Sequence, residues 1–246
     1  MEKKIAEAAA RLKKCRHVVA LTGAGISVES GIPDFRSAGG LWEKYDPSEY
    51  AHIDAFYRKP NQVWQMLSDM YELLHPAKPN PAHLALADME RDGVLKEIIT
   101  QNIDSLHQKA GNTRVIEFHG HFRTLKCESC GARKKTEEIS VEELPPLCAK
   151  CGRAMRPEIV FFGEGIPPKA YEDAMQAVSL CDGLIIIGTS AVVAPASYLP
   201  GIARDRGAFI LEVNLETTPL SRKIVDLHIG GSAGSILPLL VEAIRG

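Results

Sequence analysis

The stretch VVALTGAGIS, residues 18–27, joins a short, continuously apolar run to a glycine-rich turn. A run without polar alternation is typical of a parallel strand that is buried on both faces. Gly23 and Gly25 allow close backbone approach, and a helix that begins after such a turn favours a phosphate. Val28 replaces the third glycine of the dinucleotide fingerprint, and no acid follows at the usual spacing. For this motif alone, a tight turn without a ligand therefore stays open.

Five more apolar runs predict further buried strands, and amphipathic segments separate most of them. The predicted strands are residues 97–100, 115–118, 183–187, 209–213 and 225–229. The predicted helices include residues 1–15, 81–92, 169–180, 196–206 and 235–245. This alternation predicts an α/β fold, a Rossmann-like parallel sheet with helices on both faces.

Two stretches interrupt the alternation, one rich in aromatics and prolines and one holding paired cysteines. We interpret them as a smaller lobe, made of a helical insertion at 37–80 and a zinc-binding module at 122–156. Residues 1–36, 81–121 and 157–246 then form the Rossmann-like lobe of one domain, 1–246. In open α/β sheets a ligand binds beyond the carboxyl ends of the strands, so we expect the site between the lobes.

Composition excludes several other classes of protein. Of 246 residues, 45% are hydrophobic and 24% are charged, and the net charge is -2, which fits an ordinary globular chain. Residues 1–15 are charged and lack the apolar core and cleavage site expected of a signal peptide, and the apolar runs are shorter than a membrane crossing requires. We therefore expect a cytoplasmic monomer that binds neither nucleic acid nor a membrane.

Two Cys-x-x-Cys pairs have the spacing of a zinc ribbon, with Cys127, Cys130, Cys148 and Cys151 as ligands. Four protein ligands leave no open coordination position, so the zinc is predicted to be structural. A redox role for these cysteines is the alternative. Basic residues near the pairs also allow a nucleic-acid surface, but neighbouring glutamates offset their charge.

A set of motifs in fixed order closely resembles the sirtuin family over roughly residues 18–233. The motifs are GAGIS at 23–27, GIPDFR at 31–36, TQNID at 100–104, HG at 119–120, the four cysteines, FFGE at 161–164, GTS at 188–190 and VN at 213–214. The resemblance implies an NAD-dependent protein lysine deacetylase with one structural Zn²⁺. Its products would be nicotinamide, O-acetyl-ADP-ribose and free lysine.

The resemblance also implies a catalytic pair. The acyl-lysine carbonyl oxygen attacks C1′ of the nicotinamide ribose, and His119 serves as general base towards the ribose hydroxyls. An imidazole suits this task because its pKa lies near neutrality. Asn102 orders the ribose or a water molecule.

By the same resemblance, a larger group of residues binds NAD. Phe35 shields the reactive sugar carbon, and Asp34 and Arg36 hold a mobile loop over the cofactor. The full predicted set is Gly23, Ala24, Gly25, Val28, Asp34, Phe35, Arg36, Gln101, Asn102, Ile103, Asp104, His119, Gly188, Thr189, Ser190, Asn214, Leu215, Glu216, Ser232 and Ala233.

Acetylated lysine in a protein segment is the implied partner, held as an extra strand between residues 160–164 and 192–194. The predicted substrate residues are Ile103, Val160, Phe162, Gly163, Glu164, Val192 and Val193. Relatives that prefer acidic acyl groups carry a Tyr-x-x-Arg pair, and the matching positions here are Leu67 and Met70. Neither side chain pairs with a carboxylate, so we expect neutral acyl groups.

Three other functions stay open at this point. A mono-ADP-ribosyltransferase would use the same NAD site but modify a protein acceptor. A hydride-transferring oxidoreductase is disfavoured, since the glycine fingerprint is incomplete. A non-catalytic binding module built on the zinc ribbon would not need His119.

Overall fold

The computed structural model describes residues 1–34, 40–139 and 144–246. The strands are β1 Val18–Thr22, β2 Leu95–Thr100, β3 Val115–Glu117, β4 Gly120–Lys126, β5 Arg133–Lys135, β6 Arg156–Ile159, β7 Gly183–Ile187, β8 Phe209–Asn214 and β9 Leu227–Gly230. The α-helices are α1 Glu2–Leu12, α2 Leu41–Lys44, α3 Pro47–Tyr50, α4 Ile53–Arg58, α5 Pro60–Leu74, α6 Pro81–Arg91, α7 Leu106–Ala110, α8 Pro168–Leu180, α9 Leu199–Asp205 and α10 Ala233–Arg245.

Six strands form one parallel sheet in the order β3-β2-β1-β7-β8-β9. The chain moves outward from β1 in one direction and then from β7 in the other, so the order reverses between these two strands. That is the order of a doubly wound dinucleotide-binding sheet. The predicted α/β fold class is confirmed. The last strand begins two residues later than predicted, at Leu227.

The central strands are apolar throughout because helices cover both faces of the sheet. Along β1, Val18 and Ala20 pack with α1, α6 and α10 on one face. Val19 and Leu21 pack with α8 and α9 on the other. Successive side chains of a strand point to opposite faces, so both sets are buried. Burial on both faces explains why the sequence of these strands is apolar without alternation.

A second hydrophobic cluster lies outside these two layers. It joins helices α4 and α5 to a three-stranded antiparallel sheet with the order β5-β4-β6. The indole Nε1 of Trp64 donates to the Met155 carbonyl at 2.8 Å, which ties the helical insertion to the cysteine-containing segment. The exact lobe boundaries stay a prediction.

The turn after β1 leads into a 3-10 helix, Ala24–Ser30, where the sequence predicted an ordinary helix start. In a 3-10 helix, side chains three residues apart align. Ser27 and Ser30 therefore face the same side. There Ser27 meets Asp104, and Ser30 accepts a hydrogen bond from Asn80, the residue that caps α6. Gly31 ends the turn with φ +84°.

Helix length bears on membrane insertion. Within the described ranges, no helix combines the length and the apolar character that a bilayer crossing requires.

Candidate active site

The carboxyl ends of the central strands are in register. Thr22 of β1 pairs with Thr100 of β2 and with Ile187 of β7, and Ile187 pairs with Val213 of β8. The loops that follow these strands therefore leave the sheet side by side. This register brings the GAGIS, TQNID, GTS and VN motifs to one edge.

Gly25 and Gly188 form the closest backbone contact at this edge. The Gly25 N–H donates to the Gly188 carbonyl at 2.8 Å. A Cβ on Gly25 would lie 2.8 Å from the Gly188 Cα, and one on Gly188 would lie 2.4 Å from the Ile26 nitrogen. Gly188 also has φ +57°, where side chains other than glycine are rare. Both glycines are required sterically for the two loops to pack this closely at the sheet reversal, the position where doubly wound folds bind dinucleotides.

Hydrogen bonds link the next residues across the edge. Gln101 donates from Nε2 to Thr189 Oγ1 at 3.0 Å, and Asn214 donates from Nδ2 to the Thr189 carbonyl at 3.1 Å. Thr189 thus joins the loops after β2, β7 and β8 into one surface. Ser190 follows it and is exposed.

Asn102, Ser27 and Asp104 form a buried chain of hydrogen bonds. The Asn102 amide donates to the Gly23 carbonyl and to Ser27 Oγ, each at 3.1 Å, and Ser27 Oγ donates to Asp104 Oδ2 at 2.7 Å. Burial raises the pKa of Asp104, although hydrogen bonds from Leu106 N–H and Ser27 partly offset this. Ser27 was absent from the predicted site residues, although it lies in the first motif. Only the fold shows that its hydroxyl faces residues 101–104, which form the QNID loop.

His119 lies where β3 gives way to β4, facing the QNID loop. Its Nδ1 lies 3.1 Å from the Gln101 carbonyl oxygen, and its own carbonyl accepts from the Val160 N–H at 2.9 Å. Burial lowers the pKa of His119, and the Gln101 carbonyl partly opposes that shift. The lowered pKa favours the neutral imidazole, which lies between the loop 101–104 and the segment 160–164.

A mainly apolar cavity of about 40 Å³, open to solvent, lies beside Ser27, Asn102 and Asp104. Its lining comprises Ala24, Ser27, Ile32, Pro33, Leu41, Met70, Leu73, Leu74, Asn102, Ile103 and Asp104. Of the two aligned acyl-selectivity positions, Met70 lines this cavity, whereas Leu67 is fully buried in the core of the small lobe. Of the predicted substrate residues, Ile103 lies in the lining, while Val160 and Phe162 lie outside it.

The segment 160–164 is fixed more tightly than the sequence indicates. Phe162 N–H donates to Ala51 O, and its carbonyl accepts from Ile53 N–H, so the segment is already paired on one side. The Phe162 ring is 44% exposed, and its centroid lies 6.1 Å from that of Trp42. The Glu164 carboxylate turns inward to Arg156, away from solvent. In the second segment predicted to bind the peptide, 192–194, Val192 is exposed and Val193 is half-buried.

The predicted adenosine-side residues lie at the ends of β8 and β9. Leu215 and Glu216 are exposed, Ser232 caps α10, and Ala233 is buried in the first turn of that helix. Glu212, absent from the sequence predictions, is fully buried below them. It accepts hydrogen bonds from Asn214, Thr218 and Ser221 and so anchors the loop after β8.

Four residues predicted to bind NAD lie in or near the segment after β1, and two of them fall within the described residues. Val28 lies on the 3-10 helix and is 45% exposed, and Asp34 is half-buried at the end of a described range. Phe35 and Arg36 lie outside the described residues, so the predicted shielding aromatic has no structural account.

The four predicted zinc ligands converge. Their Sγ atoms all lie within 4.8 Å of one another, and two cross-pairs, Cys127 with Cys151 and Cys130 with Cys148, are 3.5 Å apart. A tetrahedron with Zn–S bonds of about 2.3 Å has sulfur–sulfur edges of about 3.8 Å, so the cluster fits zinc. Disulfide bonds require about 2.05 Å, and all four thiols are free.

The two Cys-x-x-Cys turns have matching backbone geometry. Cys127 N–H donates to Ala132 O while Gly131 N–H donates to Cys127 O, and Cys148 repeats this with Arg153 and Gly152. Gly131 and Gly152 both have φ +70°. Paired turns of this kind present thiolates to one ion, which favours the structural zinc site over a redox pair.

The sheet order, the glycine contact at its reversal and the four-thiolate cluster define a dinucleotide-binding α/β protein with a structural metal module. Comparison with known proteins identifies the family. The model of the Sir2 family matches residues 23–195. An NAD-dependent protein deacylase 2 of Pyrobaculum aerophilum is 46% identical over 234 residues, covering 95% of this chain and 93% of that protein. The NAD-dependent protein deacylase of Pyrococcus furiosus is 44% identical, covering 95% of each chain.

Solved structures agree with these relatives. A complex of a Sir2 homologue with NAD superimposes with a TM-score of 0.91 at 44% identity, covering 97% of this chain and 93% of that one. A Sir2 complex with a deacetylated p53 peptide and 3′-O-acetyl-ADP-ribose gives 0.92 at 37% identity, covering 97% and 98%. The chain belongs to the Sir2 family. The resemblance drawn from its motifs is confirmed.

Proposed function

We propose that the chain is an NAD-dependent protein lysine deacylase that removes neutral acyl groups, acetyl first among them. The observation that carries the proposal is the position of His119, held by the Gln101 carbonyl at the edge where the glycine contact and the QNID loop meet. The names of the curated relatives support deacylation over ADP-ribosylation of a protein acceptor.

The NAD site assigned here is the strand edge. The backbone of Gly23, Ala24, Gly25 and Gly188, with Thr189 and Ser190, takes the phosphates. Gln101, Asn102, Ile103 and Asp104 take the nicotinamide end. Asn214, Leu215 and Glu216 bind the adenosine ribose, and Ser232 and Ala233 lie by the adenine. When bound, NAD supplies ADP-ribose as acyl acceptor and nicotinamide as leaving group.

His119 acts as the general base. A carbonyl oxygen only accepts hydrogen bonds, so the contact with Gln101 places the proton of the neutral imidazole on Nδ1. Nε2 is left with its lone pair and accepts a proton from a sugar hydroxyl. Asn102 is itself oriented by Gly23 and Ser27, and in this proposal it holds the ribose or a water molecule.

The acylated segment binds as a strand between residues 160–164 and 192–194, with main-chain pairing supplying affinity for many sequences. The acyl chain lies along the small-lobe side of the apolar cavity, against Met70 and Leu74, while the side formed by Asn102 and Asp104 takes the nicotinamide end. A charged acyl group would lose its hydration there without gaining a partner. A Sir2 relative has been solved with a myristoylated histone peptide, at 39% identity and a TM-score of 0.84, so longer neutral chains are also proposed substrates.

Zinc at Cys127, Cys130, Cys148 and Cys151 has a structural role in this proposal, because all four ligands come from the protein. The division into two lobes, the monomeric state, the cytoplasmic location and the lack of nucleic-acid binding stay predictions.

The deciding experiment incubates the chain with NAD and an acetyl-lysine peptide. Deacylation releases nicotinamide and gives O-acetyl-ADP-ribose plus free lysine in equal amounts, and His119→Ala should slow the release of free lysine by about 10²–10⁴-fold. ADP-ribose attached to protein, with the acetyl group left in place, would establish the transferase instead. Unchanged NAD beside an unmodified peptide would refute both enzymes.

A further inference from the structure

Arg156 is a buried cation that the proposed reaction does not use. It begins β6, it is 7% exposed, and it lies between the cysteine cluster and the peptide-binding segment 160–164. A buried guanidinium is stable only when its donors are paired, so its partners show what it holds in place.

Four hydrogen bonds satisfy Arg156. Nη1 and Nη2 donate to the two carboxylate oxygens of Glu164 at 3.0 and 2.6 Å, and Nη1 also donates to the Ile159 carbonyl at 2.9 Å. Nε donates to Glu128 Oε1 at 3.1 Å. The paired contact with Glu164 is the bidentate geometry that fixes both side chains.

These partners belong to different parts of the site. Glu128 lies between the ligands Cys127 and Cys130, inside one cysteine turn. Glu164 Oε2 also accepts from the Phe161 N–H at 2.9 Å, so the carboxylate grips the backbone of the peptide-binding segment. A continuous path thus runs from the cysteine cluster through Arg156 and Glu164 to that backbone.

The rest of the segment is held only along its edges. Val160 N–H is bonded to the carbonyl of His119, and Phe162 pairs with Ala51 and Ile53. Arg156 and Glu164 supply the inner support between these two attachments. Because strand addition depends on aligned main-chain groups, a small shift of the segment weakens every bond to the peptide at once.

We propose that Arg156 is a positioning residue for the acylated peptide. Its bidentate contact with Glu164 holds the segment 160–164 in a fixed position relative to the cysteine module. The inference rests on the proposed deacylase function and names a determinant of peptide affinity within it. The NAD-binding loops lie on the parallel sheet and have no bond to Arg156 among those described, so their affinity is independent of this residue.

Lysine is the informative replacement. It keeps the positive charge but offers one ammonium group, which cannot make the paired contact with Glu164 and reach Glu128 as well. Arg133→Lys is the matched control. Arg133 starts β5 of the same sheet and contacts Glu158 through Nε at 3.0 Å, but its side chain is 61% exposed and, among the bonds described, none joins it to the segment.

The test uses the full zinc-loaded chain and titration calorimetry with two ligands, an acetyl-lysine peptide and ADP-ribose. Arg156→Lys is expected to raise the Kd for the peptide about tenfold, the loss of one charged hydrogen-bond pair. Its Kd for ADP-ribose and its zinc content, measured by mass spectrometry, should stay within twofold of wild type. Arg133→Lys should leave all three values unchanged.

Glu164→Gln gives a second test if Arg156→Lys does not fold. The amide still accepts from Phe161 but loses the charge, so a smaller rise in the Kd for the peptide, about threefold, is expected.

Peptide affinity equal to wild type in either folded variant would overturn the role of Arg156, as would an equal loss of peptide and ADP-ribose affinity. Wild-type protein that binds ADP-ribose but no acetylated peptide would instead count against the deacylase function itself.

Discussion

The Nδ1 atom of His119 lies 3.1 Å from the carbonyl oxygen of Gln101, in the loop that also carries Asn102 and Asp104. One backbone group thus sets the tautomer of the proposed base and joins it to the proposed nicotinamide pocket. The relationship depends on β2 and β3 being neighbours in register, with Thr100 opposite Glu117.

His119→Ala is expected to lower kcat/KM for deacetylation by about 10²–10⁴-fold, the usual contribution of a positioned general base. Binding of ADP-ribose should stay within a few-fold of wild type, because the strand-edge backbone is untouched. Initial rates and calorimetry measure the two effects. Retained turnover in the folded variant would remove His119 from the mechanism.

The acidic side of the pH profile of kcat/KM, its acid limb, should reflect the protonation of His119. The base works only when neutral, and burial lowers its pKa, so the limb should fall below the ordinary histidine value of about 6.5. A pH profile of wild-type kcat/KM measures it. A limb centred above that value would contradict the assignment.

Gly188→Ala should unfold more easily and lose NAD affinity. Its Cβ would meet the Ile26 nitrogen at 2.4 Å, and φ is +57°, so a cost of about 1–3 kcal/mol is expected. Gly201→Ala is the control, since its Cβ meets nothing within 4 Å and it lies in helix α9, where alanine stabilises by about 0.5–1 kcal/mol. Thermal unfolding should move in opposite directions for the two variants. Equal shifts would show that the contact with Gly25 is not tight.

Met70→Arg should shift acyl preference towards succinyl-lysine, because it places a cation in the lining of the apolar cavity. Turnover of acetyl-lysine should fall. Met70→Leu keeps the lining neutral and should preserve the wild-type preference. The measurement is kcat/KM for the acetyl-lysine and succinyl-lysine peptides in all three proteins. A preference of the wild type for succinyl would show that the cavity does not select the acyl group.

Two buried histidines should make stability depend on pH. Burial lowers the pKa of His83 to about 4, and that of His107, whose ring centroid lies 4.9 Å away, falls well below its usual value. The unfolded chain takes up these protons near pH 6.5, whereas the folded chain does not, so stability is lost as pH falls from there towards 4. The expected slope is about 1.4 kcal/mol per pH unit for each histidine.

Urea unfolding at pH 7.5 and 5.0 measures this slope. His83→Gln should flatten it, and His75→Gln should not, since His75 is exposed. An identical pH dependence in wild type and His83→Gln would refute the prediction.

Glu212→Leu should raise KM for NAD while KM for the peptide stays unchanged. The substitution leaves the half-buried Thr218 and Ser221 hydroxyls without their acceptor and removes one of the two hydrogen bonds of the Asn214 amide, at a cost of about 1 kcal/mol for each bond lost. Glu242→Gln on the exposed face of α10 is the control. Equal increases in both KM values would indicate general loss of folding.

The sequence alone determined the fold class and predicted the sheet edge at which its motifs meet. Runs such as 183–187 are apolar without alternation because helices cover both sheet faces, and this signal is local. The cysteine spacing is equally local, since each Cys-x-x-Cys turn builds half of the cluster by itself. The family motifs follow the strand ends directly, so predicting the strands also placed them at one edge.

The tertiary structure decided which side chains face one another. Ser27 meets Asp104 because the turn after β1 winds as a 3-10 helix, and Glu164 turns to Arg156 instead of to the substrate groove. Met70 and Leu67 both belong to the core of the small lobe, and of the two Met70 lines the cavity. Each of these outcomes depends on contacts between segments far apart in sequence, whose geometry no short pattern encodes.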